Sequence, residues 1–113
     1  MEAVMAYDEV LAQRISKVLE GTPGLTEKKM FGGVGYLVHG NMACGVTKED
    51  LIVRVGAEGY EDSLKQPHVR VFDMTGRPMK GWVTISPDGL QDQKELEAWI
   101  QKGIDFAKSL PPK

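Results

Sequence analysis

The chain has 113 residues, of which 42% are hydrophobic and 27% charged, and its formal net charge is −2. That length holds one hydrophobic core and excludes two full domains, while the composition excludes wholesale disorder. A slight acidic excess argues against general phosphate binding, which needs a basic surface, and no apolar run approaches the roughly 20 residues of a membrane span. The opening residues, Met1 to Glu9, have no basic segment and no long apolar stretch, so no secretory signal is expected. Cys44, the one cysteine, excludes an intramolecular disulfide and alone cannot hold a structural zinc. A reducing, cytoplasmic location without membrane attachment is the expectation.

Helical spacing first appears over Tyr7–Glu20, where Tyr7, Leu11, Ile15, Val18 and Leu19 share a face opposite Glu9, Gln13, Lys17 and Glu20. Gly21 and Pro23 supply the stop. From Lys28 to Val55 the period changes to two. Val34–Val38, Met42–Val46 and Leu51–Val55 read as strands, separated by His39-Gly40-Asn41 and by the polar turn Thr47–Asp50. Links that short dictate an antiparallel meander. Glycines at 32, 33, 35 and 45 point to a bulge or a close backbone approach.

Tyr60 and Leu64, at i and i+4, indicate a short helix over Gly56–Leu64 that stops before Pro67. Strands follow at Val69–Phe72 and Lys80–Ile85, joined by a loop punctuated by Gly76 and Pro78, and Ser86–Gly89 is a break. The last helix sets Leu96, Trp99, Ile100, Gly103, Phe106, Ala107 and Leu110 in one stripe, with Asp92 as its cap and Pro111-Pro112 as its end. Residues 1–113 therefore read as one α+β domain. It has two layers, an antiparallel sheet of about five strands with helices on one face, in the order α-β-β-β-α-β-β-α.

Reactive chemistry is sparse. Phe31-Gly32-Gly33 precedes a strand and lacks the Gly-Lys-Ser/Thr ending and helix of a phosphate loop, which favours a structural bulge. Cys44 lies in an apolar strand with no charged neighbour to activate it, so an inert thiol is expected. His39 and His68 sit in loops without the carboxylate spacing of a metal site, and neither metal nor cofactor is expected. The stretch 70–82 gathers Arg70, Arg77, Lys80 and Trp82 in an otherwise acidic chain. One reading pairs Arg77 with Asp73 across the loop and buries Trp82; the other sets Arg77 and Lys80 against an acidic partner or phosphate, with Trp82 as an anchor.

Four segments together resemble one family. Met30-Phe31-Gly32-Gly33, Leu51-Ile52-Val53-Arg54, the run from Phe72 through Gly76, Arg77 and Pro78 to Val83, and Phe106–Lys113 are similar to the N-terminal domain of the TfoX/Sxy regulators of competence genes. The resemblance spans nearly the whole chain and implies a two-layer fold like that of secretion chaperones. Those regulators carry a second, helical C-terminal domain, so a chain ending at Lys113 reads as a stand-alone domain. The expected function is a non-enzymatic regulatory or adaptor domain acting through protein contacts. Ile52 and Trp82 alternate against the core residues of their strands, so one apolar sheet face is expected to meet a protein partner or a second copy, as in a homodimer. The alternative is a nucleic-acid-binding module using Arg70, Arg77 and Lys80.

Overall fold

Asp8 opens the first helix, α1 (Glu9–Leu19), by accepting hydrogen bonds from the backbone N–H groups of Val10 and Leu11 at 2.9 and 3.1 Å. Two residues shorter at its start than the spacing suggested, α1 buries Leu11, Ile15 and Leu19 and leaves Tyr7 ahead of it in a bridge to Lys48. The computed structural model describes residues 7–30, 33–73 and 78–112. After α1 come β1 (Leu25–Met30), β2 (Gly33–Val38), β3 (Asn41–Thr47), β4 (Asp50–Arg54), α2 (Gly56–Leu64), β5 (Val69–Asp73), β6 (Pro78–Ile85), a 3₁₀ turn at Pro87–Gly89 and α3 (Gln93–Ser109).

All strand pairs are antiparallel, in the order β1-β2-β3-β4-β6-β5. The α+β class, the meander and the helix at Gly56–Leu64 agree with the sequence. The sheet has six strands rather than about five, because β1 pairs with β2 along its whole length from Leu25↔Val38 to Met30↔Gly33. Its Glu27, Lys28 and Lys29 are exposed, as befits an edge strand that must not recruit another chain. His39 and Gly40, both at positive φ (52° and 86°), make the two-residue turn that sends β2 back as β3.

A register shift between Tyr36 and Leu37 sets Ala43 and Cys44 together on β3 against Tyr36, so the bulge lies past the glycines that hinted at one. Gly33 and Gly45 answer instead to close approach: a Cβ on Gly33 would lie 2.1 Å from the Val46 carbonyl oxygen, and one on Gly45 2.7 Å from that of Val34.

The core forms on one face of the sheet. Val34, Tyr36, Cys44, Val46, Leu51, Val53, Val83 and Ile85 meet Leu11, Ile15 and Leu19 of α1 and Leu96, Trp99, Ile100 and Ile104 of α3. Tyr60 and Leu64 bring α2 onto the same cluster. Ile104 was absent from the expected stripe, and Phe106 and Leu110 are only half-buried. Tyr36 ties sheet to helix by donating from its hydroxyl to the Ala12 carbonyl at 3.0 Å, and burial pushes its pKa up to about 12.

α3 lies close on the sheet at Gly103, where a Cβ would stand 2.3 Å from the Ala43 carbonyl oxygen. Alanine is the better helix former by about 1 kcal/mol, but forcing helix and strand apart costs about 1–3 kcal/mol or more. The clash wins. Gly103→Ala is therefore expected to destabilise the fold by more than about 1 kcal/mol in urea unfolding, against the sign of helix propensity.

Candidate functional site

Strand alternation sends every second side chain away from the helices. On β4, Leu51 and Val53 enter the core while Ile52 stands on the opposite face; on β6, Val83 and Ile85 enter while Trp82 and Thr84 stand opposite. Pairing then aligns Gly45, Ile52, Thr84 and Arg70 as one row across four strands. This helix-free face holds a shallow groove of about 730 Å³ whose walls include Met42, Ile52, Phe72, Met79 and Trp82. Ile52 is only 5% exposed there, although it lies outside the helix-covered core cluster. It forms a floor rather than a protruding anchor. Trp82 is half-buried, 6.1 Å from the Phe72 ring between centroids.

One wall of the groove is polar and already satisfied. Arg70 donates to the Asp50 carboxylate at 2.6 Å and to the Ser86 hydroxyl at 2.7 Å. Asp50 has a side chain 12% exposed, whereas that of Arg70 is 54% exposed, so the arginine shields a nearly buried carboxylate. Arg70 thus has an internal partner that the sequence reading did not give it. Lys80 is exposed on β6, and Pro78 starts that strand opposite Asp73. Arg77 and Gly76 lie outside the described residues, as do Phe31 and Gly32; Met30 is described by its backbone alone, in β1. The structure therefore brings together Ile52, Trp82 and Arg70 on one face.

Arg54, which sequence reasoning passed over as part of a strand, lies over two rings, 5.3 Å from the centre of Trp82 and 5.1 Å from that of Phe106. Its parity with Ile52 was the available signal. The approach of Phe106 from α3 had none in the sequence.

Cys44 is fully buried, and burial alone pushes its thiol up to about 12. At neutral pH it is a protonated core side chain rather than a nucleophile. His39 and His68 are exposed, and among the described residues no group of three or more His, Cys, Asp or Glu side chains could hold a metal ion. No helix among them is long and apolar enough to cross a membrane.

A family model described as the TfoX N-terminal domain matches residues 17–107, which include the helix-free face and all of the core beneath it except Leu11 and Ile15 of α1. No individually curated protein matches the chain.

The Cys44 environment gives a pH dependence with a definite sign. In the unfolded chain the thiol ionises near its ordinary value of 9.0, whereas the fold holds it protonated to about 12. This contribution is intact below pH 9 and is lost as pH rises from 9 towards 12. Stability of the wild type should fall through that window more steeply than that of Cys44→Ala, by at most about 1.4 kcal/mol per pH unit. Urea unfolding of both at several pH values measures the difference, and parallel curves would contradict the burial of this thiol.

Proposed function

The chain belongs to the TfoX N-terminal domain family, and from that premise we propose that it is a small regulatory or adaptor domain that acts by contacting a protein on its helix-free sheet face. The observation that carries this reading is the segregation of apolar side chains. Leu51 and Val53 serve the core, while Ile52 floors a groove flanked by Met42, Phe72 and Trp82 that none of the described helices covers. A face of that kind is used for recognition when it presents half-buried aromatics around a depressed centre. The contact is with another protein or a second copy of the chain, in the cytoplasm, and regulation like that of the competence regulators is the role assigned to it. No catalytic step enters, and no cofactor is needed.

Reading the same face as a nucleic-acid surface has less behind it. Phosphate binding draws on cations free to neutralise successive phosphates. Arg70 is held by Asp50 and Ser86, which leaves Lys80 as the exposed cation among the described members of that stretch.

Met42 is half-buried in the groove wall and outside the core cluster, so Met42→Glu places a charge on the face at little cost to the fold. Affinity capture with the tagged domain should recover a protein partner with the wild type and lose it with Met42→Glu, the melting temperature changing little. Sedimentation equilibrium of both proteins covers a second copy as partner. A captured or associated species insensitive to Met42→Glu would refute the assignment of this face. Binding to a short oligonucleotide that weakens steeply with salt would instead support the phosphate reading.

A further inference from the structure

The described arginines differ in what holds them. Arg14 donates to the Leu90 carbonyl at 2.8 Å and to the Gln93 side chain at 3.3 Å, and Arg70 is paired with Asp50. The side chain of Arg54, half-buried at the end of β4, makes no hydrogen bond and no ion pair among the described residues. Its contacts are the rings of Trp82 and Phe106. A ring attracts a cation through its π face and engages the flat side of the guanidinium. The N–H donors point outward in the guanidinium plane, in the fork that matches a carboxylate. Two rings from β6 and α3 thus position a cation whose hydrogen-bonding edge is unused.

We propose that Arg54 is a carboxylate anchor: it receives the acidic side chain of a protein segment whose apolar neighbour enters the groove at Ile52. This deepens the reading of the helix-free face as a protein-contact surface and rests on it. Charge complementarity selects the occupant. Arg54 stands beside the groove, over the Trp82 ring that lines it. The groove itself is largely apolar, its Arg70 is neutralised by Asp50, and its remaining charged residues, Lys48 and Asp73, are opposite in sign, so one negative charge at Trp82 is matched and a row of phosphates is not. A groove of about 730 Å³ admits a few side chains, the scale of a short segment rather than of a whole surface. Spacing supplies the pattern. Ile52 and Arg54 are two residues apart on one strand, about 6.5–7 Å, which is also the repeat of alternate residues in an extended peptide. The recognised sequence is therefore apolar–x–acidic.

The test uses the blocked peptide acetyl-Val-Leu-Thr-Glu-Val-amide and its Gln counterpart, titrated into the intact domain while the Arg54 Nε–H and Trp82 indole N–H resonances are followed. The Glu peptide is expected to shift both and to bind about tenfold more tightly than the Gln peptide, as a charge-assisted fork does. Arg54→Lys, which keeps the charge and loses the fork, should bring the Glu peptide down to the Gln affinity with the fold intact by circular dichroism. Equal binding of both peptides with shifts at Trp82 alone would overturn the anchor and leave the face reading standing. Shifts confined to the helix side would overturn both. Absence of any shift at Arg54 at millimolar peptide overturns the anchor, and tighter binding of inorganic phosphate or an oligothymidylate at Arg54 overturns the carboxylate assignment. The peptide pair compares ligands on the wild type, so the outcome stands even if Arg54→Lys does not fold.

Discussion

Six strands about 4.8 Å apart make a sheet roughly 25–29 Å wide, and three helices about 10 Å across fill one face of it and no more. Among the described residues no further helix lies over the second face. Everything else in the molecule follows from that shortage. Side chains of one parity on β4 and β6 join Leu11, Ile15, Leu96 and Ile100 in the core, while those of the other parity must make do with each other. Ile52 reaches near-complete burial this way, in a groove whose walls are other sheet side chains. The packed side depends in turn on the glycine at 103, which lets α3 settle against the Ala43 backbone.

The helix-free face manages its charges in two different ways. Asp50 and Arg70 neutralise each other across the sheet, and the Ser86 hydroxyl takes another arginine donor. Such a pair contributes little net stability when one partner is half exposed, but breaking it strands a nearly buried carboxylate. The Arg54 guanidinium is held by rings, and its donors have no partner among the described residues. Residues from β4, β6 and α3 meet there, and each belongs to one of the segments on which the family resemblance rests. The two arginines stand on neighbouring parts of the same sheet, yet one is held by a carboxylate and the other by two rings.

Much of this architecture was legible in the sequence because burial is one-sided. Alternation from Val34 onward marks the inner strands, and the 3.6-residue period marks α1 and α3, since in each case one face must be apolar. β1 escaped because Leu25-Thr26-Glu27-Lys28-Lys29-Met30 has no apolar face to reveal it; pairing with β2, not burial, makes it a strand. The parity of Ile52 and Trp82 correctly separated them from the core residues of their strands. The partner of Arg70 did not show, because Asp50 lies 20 residues away and only the order β4-β6-β5 brings it near. Phe106 read as core by its period, and the end of α3 carries it instead to Arg54.

The two tryptophans report on the two faces separately. Trp99, 9% exposed, lies in the core beneath the helices, and Trp82 stands on the helix-free side. A spectrum of the indole N–H groups therefore carries one signal from each face, and a single titration with a captured partner, or dilution of an associating sample, reads both. Contact through the helix-free face predicts a saturable shift of the Trp82 signal with Trp99 essentially still. A shift of Trp99 with Trp82 unmoved would place the contact on the helical side and contradict the account.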